Sequence, residues 1–190
     1  MVGVIACVVA LAAAAGADAA TVSVPYTPFT PSGSLAPGIR ATPQFGGTCS
    51  TGSFVVSGPT VFRCVAGDLI HDPCYLDVVE SSPERPVAVC VTAPWVAGVV
   101  RLRLVTAPAR TLGAPPGGPP WALRLASGRR CLRATGATSV VRGLRLSYVC
   151  EGRRVLFGTP ARSASTWRIR QATTAGGHMM RSVAIVVAWS

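Results

Sequence analysis

From residue 53 to residue 189, apolar and polar positions alternate in short runs rich in Val, Ile, Leu and aromatic residues. The clearest runs are residues 53–56, 60–64, 87–91 and 99–105, then 121–126, 130–134, 140–149, 154–157, 166–171 and 182–189, with Gly, Pro and Ser between them. A two-residue period over four to eight positions describes strands with one buried face. No segment beyond the first seventeen residues sustains a 3.6-residue period. The pattern predicts an all-β domain, an antiparallel sandwich or small barrel with Pro/Gly-rich loops.

Alternation also assigns the arginines. With Leu102, Leu104, Leu123, Leu125, Leu144, Leu146, Trp167 and Ile169 facing a core, Arg101, Arg103, Arg124, Arg145, Arg168 and Arg170 face solvent. Those six are the expected binding residues. Two fragments resemble each other: Leu123-Arg124-Leu125 leads through Gly128-Arg129-Arg130 to Leu132, and Leu144-Arg145-Leu146 through Gly152-Arg153-Arg154 to Leu156. Both read as strand, turn and return strand, and both are too short to define a repeat.

The first nineteen residues set the compartment. An apolar run over residues 1–17 precedes Ala17-Asp18-Ala19, a small-x-small cleavage pattern, so residues 1–19 read as a secretory signal peptide without a basic start, which leaves room for an upstream start codon. Val4-Ile5-Ala6-Cys7 has the outline of a lipoprotein box, although the residues after Cys7 are apolar. A membrane is therefore a partner only through an N-terminal lipid or an uncleaved signal. Export leaves six cysteines in an oxidising compartment, and near-neighbour spacing favours Cys49 with Cys64, Cys74 with Cys90, and Cys131 with Cys150. For the third pair Cys150 shares the parity of Leu146, whereas Cys131 adjoins the core candidate Leu132, so a bulge or strand end is expected there. No CxxC pair is present, which argues against zinc.

Two proline clusters punctuate the chain. Pro25, Pro28, Pro31, Pro37 and Pro43 stand among Thr, Ser and Gly, and residues 20–47 read as an extended, poorly packed leader. Residues 48–190 form the β-rich domain, its halves joined by the Pro/Gly loop 107–120. Each half alone buries too little surface to stand as a separate domain.

Charge divides along the same line. All 18 basic residues are Arg; residues 120–190 carry 12 of them against the single acid Glu151, whereas residues 64–100 carry five acids against Arg85. In an exported protein a basic half selects anionic partners such as wall polymers, and sparse aromatics with no recognition motif argue against nucleic acid. Arginine-rich codon usage on solvated strand faces accounts for the same charge.

Candidate chemistry is thin. Asp68, His71 and Asp77 place an imidazole among carboxylates, the materials for acid–base catalysis, while Asp72-Pro73 before Cys74 reads more simply as a turn that positions a bridge. His178-Met179-Met180 offers soft donors for copper, but Gly176-Gly177 before it describes a loop entering the last strand. GxSxG is absent, and oxidised cysteines supply no nucleophile. No cofactor or metal is expected.

Phe62-Arg63-Cys64, His71-Asp72-Pro73-Cys74, Cys90 before Pro94-Trp95, and Trp121-Ala122-Leu123 with Gly128, Cys131 and Cys150 carry a resemblance. Over most of residues 49–170 the chain resembles uncharacterised secreted Cys-rich proteins of GC-rich actinobacteria. That resemblance implies export and disulfides, and no activity. The sequence thus leads to a secreted or cell-envelope protein with a non-catalytic binding or structural role, its basic face turned to anionic cell-wall polymer. The alternative is an inhibitor or recognition protein that meets another exported protein through loop 65–89, and the third reading is a hydrolase.

Overall fold

One long strand changes partner halfway along and so closes the first half of the molecule. The computed structural model describes residues 19–79, 81, 84, 86–108, 118–136, 138–177 and 179–190. A short strand β1 (Val22–Val24) is followed by that long strand, β2 (Arg40–Gly52), then β3 (Val61–Ala66), β4 (Leu69–Leu76), β5 (Val87–Cys90) and β6 (Gly98–Leu104). β2 through β6 run as successive antiparallel neighbours. The early part of β2 pairs in parallel with β6, from Arg40 opposite Gly98 to Gly47 opposite Leu104, and the five strands form a closed barrel. Closure removes the unpaired edges that an open sheet would expose.

The second half comprises β7 (Ala122–Leu125), β8 (Arg130–Arg133), β9 (Val140–Val141), β10 (Leu144–Cys150), β11 (Arg154–Ala161), β12 (Trp167–Ala172) and β13 (Arg181–Trp189). Its ladder runs β13-β12-β11-β10-β8-β7, and pairing of β13 with β7 closes it into a ring. The protein is all-β, and of the sandwich and the barrel it takes the barrel, twice. A 3₁₀ turn at Glu151–Arg153 joins β10 to β11. Both fragments that resembled each other in sequence are hairpins, β7–β8 and β10–β11.

The three bridges pair as spacing favoured: Cys49–Cys64, Cys74–Cys90 and Cys131–Cys150. Each joins residues directly opposite on antiparallel neighbours, and together they place the protein in an oxidising environment. Inside the first barrel two bridges lie against each other, with the sulfurs of Cys64, Cys74 and Cys90 all within 4.8 Å. The expected conflict at Cys131 does not arise. Cys131 and Leu123 face into the second barrel, while Leu132 turns outward onto a different apolar cluster, so β8 is covered on both faces.

That cluster welds the halves together. It contains Val61, Tyr75, Val89 and Val99 of the first barrel with Trp121 and Ala122 of the second, and Tyr26, Phe29, Leu35 and Ile39 pack against it. Residues 20–47 are therefore not a poorly packed leader. Val22–Val24 zips onto Val187–Trp189, Pro28 is fully buried, and from Arg40 the chain is barrel strand. The apolar residues Tyr26, Phe29, Leu35 and Ile39 between the prolines have surface to bury, and it is their burial that orders the segment.

Three further expectations are corrected. Residues 53–56 bend instead of forming a strand, and Val55 and Val56 enter the shared cluster. The run 140–149 is two strands, folded over Arg142 and Gly143, both with positive φ as the tightest hairpin turns require. Segment 65–89 is no single loop, because β4 and β5 lie within it as barrel staves. Residues 1–18, with Cys7 and the signal pattern, most of loop 107–120, and His178 lie outside the described residues.

Candidate functional site

The sequence pointed to two sets of residues, and the fold treats them differently. Asp68 is exposed in the turn between β3 and β4, while Asp77 lies beyond the far end of β4, 3% exposed. An extended strand of eight residues separates them, roughly 25 Å at 3.3 Å per residue, so Asp68, His71 and Asp77 do not converge. Asp77 is instead a structural anchor: its carboxylate lies 3.6 Å from the Arg101 guanidinium and accepts the Val79 N–H at 3.1 Å. His71 is half-buried, and its Nε2 is enclosed without a hydrogen-bond partner; burial holds its pKa below the usual 6.5.

The six arginines face outward as alternation required, since Arg103, Arg124, Arg145, Arg168 and Arg170 are exposed and Arg101 is half-exposed. They do not share one face. Arg101 and Arg103 belong to the first barrel, and around the second ring β10, which carries Arg145, lies three strands from β13, which β7 and β12 flank with the other three. An outward residue on a closed barrel points wherever its stave points.

A concave site lies elsewhere, where the barrels meet. A cleft of about 530 Å³ is lined by Phe54 and Pro119 on one side and, on the other, by Arg133, Arg145, Ser147 and Thr159. Its arginines are fixed by neutral partners: Arg145 donates from Nε to the Thr138 hydroxyl at 2.7 Å and from Nη2 to the Gly136 carbonyl at 3.0 Å. Arg133 donates to the Val55 carbonyl of the first barrel at 3.4 Å. Guanidinium groups held this way leave N–H donors spare for a ligand.

Asp72 builds the opposite wall. It accepts the Ser53 hydroxyl and, at 3.1 Å, the Phe54 N–H; Ser53 Oγ in turn accepts the N–H groups of Val55 and Val56 at 3.2 and 3.0 Å. This relay folds residues 53–56 and sets Phe54 at the cleft, 56% exposed, with the Arg63 guanidinium 4.7 Å over its ring. Burial raises the Asp72 pKa, against the opposing pull of Ser53, Phe54, Arg63 and Arg133. The floor is Tyr148, whose hydroxyl donates to the Pro120 carbonyl at 2.7 Å; burial pushes its pKa up to about 12, although Arg133 and Arg162 both act to lower it. Chemically this is a rigid, cationic, hydroxyl-lined cleft with an aromatic wall, suited to holding an anion.

Arg145 alone of this site was among the six. Arg133 escaped because it shares the inward parity of Cys131 and projects at the barrel mouth, opposite Tyr148, where alternation no longer separates core from solvent. Phe54 escaped because its position depends on Asp72, eighteen residues away.

No family model, curated protein or solved structure matches this chain.

Proposed function

We propose that this chain is an exported, non-catalytic binding module of the cell envelope and that the cleft between its barrels receives an anionic polymer. The observation that carries the reading is the pair Arg133 and Arg145, both lining one cleft with neutral hydrogen-bond partners and hydroxyl neighbours. Three disulfides agree with export, and the chain's net charge of +11 favours a polyanion. Among the described residues no helix is long and apolar enough to cross a membrane.

The test is retention on an immobilised anionic polysaccharide as salt rises. Retention should fall steeply, because each contact releases condensed counterions. Arg145→Ser should elute at distinctly lower salt while still unfolding cooperatively, its melting temperature lowered by at most a few degrees because the two hydrogen bonds it loses are exposed. Arg124→Ser, on a different stave, should elute nearer the parent. Equal shifts for the two variants would reduce the effect to net charge and remove the cleft from the reading.

The second reading, recognition of another exported protein, rests on the end of the β3–β4 hairpin. There Val65, Leu69 and Ile70 are 41%, 59% and 57% exposed beside Asp68.

A further inference from the structure

A second cavity of about 310 Å³ also borders Pro119, lined by Val55, Ser57 and Pro119 together with Ser23, Arg162 and Trp167. The two cavities share Pro119 as a wall, and consecutive residues of one bend, Phe54 and Val55, face one cavity each. That wall is braced twice from the second barrel. Tyr148 holds the Pro120 carbonyl from beneath, and the Trp121 N–H donates to the Trp189 carbonyl at 2.9 Å.

The far cavity has a cation of its own. Arg162 stacks 4.5 Å over the Trp167 ring and donates to the Gly118 carbonyl at 3.1 Å, again a neutral anchor. Arg133 from the first cavity and Arg162 from the second both act to lower the pKa of the one Tyr148 hydroxyl, against the burial that raises it, so both guanidinium groups lie within electrostatic reach of that oxygen. Each cavity also offers hydroxyl groups, Ser147 and Thr159 in the first and Ser23 and Ser57 in the second.

From this juxtaposition, and resting on the function proposed above, we infer that the cavities are two subsites of one track. Its ligand is a linear acidic glycan lying across Pro119, with one acidic group at Arg133 and Arg145 and a later one at Arg162. The forked guanidinium matches a carboxylate, the serine and threonine hydroxyls match sugar hydroxyls, and Phe54 offers an apolar wall for a sugar ring. Two subsites on one rigid body make the second contact intramolecular, so chain length governs affinity.

The probe is a series of oligogalacturonides of increasing length, measured by calorimetry against the full chain. Affinity should be weak for the shortest members, rise at least tenfold once the oligomer spans both subsites, and then level off. Arg162→Ser should bind the short oligomers as the parent does and lose the rise; Arg162→Lys should restore part of it. Arg145→Ser should weaken every length. A rise in Arg162→Ser equal to that of the parent would overturn the two-subsite track while leaving the cleft intact, whereas unaltered binding of all lengths by Arg145→Ser would overturn the cleft itself. An oligonucleotide of equal charge that binds as tightly would overturn the glycan assignment. Cooperative thermal unfolding of each variant, expected to stay within a few degrees of the parent, separates lost contacts from lost folding.

Discussion

The two barrels reach stability by different means. The first encloses a small interior in which Cys49, Cys64, Cys74 and Cys90 accompany Phe62, Leu102 and Leu104, and much of what fills it is sulfur. The second has one bridge and a core of larger side chains, among them Leu123, Leu125, Tyr148, Leu156, Ile169 and Ile185, with Phe157 and Val155 in a neighbouring cluster. Charge divides with them. Residues 40–104 balance five arginines with five acids, whereas residues 120–190 carry 12 arginines against Glu151. The balanced barrel is cross-linked, and the basic barrel is packed. A ring of five strands leaves little room for branched side chains, so covalent bridges replace part of the apolar burial that a wider ring obtains by packing.

Removing bridges is the largest perturbation of that contrast. The bridges close separations of 15, 16 and 19 residues, each contributing about 3 kcal/mol in the chain-entropy account. Replacing all four cysteines of the first barrel by Ala should lower unfolding free energy by about 6 kcal/mol, and replacing Cys131 and Cys150 by about 3 kcal/mol, in denaturant titrations. Equal losses would dissolve the distinction between a cross-linked barrel and a packed one.

Close packing of backbone in the smaller barrel is tested next. Gly47 faces Leu102 so closely that a Cβ there would overlap the leucine side chain. Gly47→Ala should therefore cost about 1–3 kcal/mol by overpacking. Adding Leu102→Ala should cost less in that background than in the parent, which a double-mutant cycle reads as coupling. Additive losses would show that this barrel yields as easily as a loosely packed one.

The smallest effect concerns pH. Burial lowers the folded-state pKa of His71, so the unfolded chain binds a proton more readily than the folded one as pH falls below about 6.5. Stability is full above that value and declines as pH drops toward the folded-state pKa. His71→Gln should flatten the decline in urea midpoints between pH 7.5 and pH 5.5. An unaltered slope in the variant would move the acid sensitivity to another group.

Alternation carried the second barrel well. Leu123, Arg124 and Leu125 alternate in the structure as in the sequence, and so do Trp167 through Arg170, because these staves turn one face to the core and their arginines to solvent. The first barrel was harder to read. In β4 the run His71-Asp72-Pro73 interrupts alternation, and the β3–β4 register shifts between Phe62 and Cys64, so a stave passed for an acidic loop. The cleft was least legible. It depends on contacts between barrels, such as Arg133 to the Val55 carbonyl, which span 78 residues and leave no local period.

The three-residue strand at Val22–Val24 has a mechanical consequence. It runs parallel to β13, Val22 opposite Val187 and Val24 opposite Trp189, and the Ser190 N–H closes the ladder on the Val24 carbonyl at 3.1 Å. In parallel pairing the leading end of one strand and the trailing end of the other lie at opposite ends of the ladder. A pull between residue 19 and residue 190 therefore slides the strands lengthwise past each other and loads their hydrogen bonds together, in shear. The same bonds in an antiparallel pair pulled from adjacent ends would open one after another, like a zip.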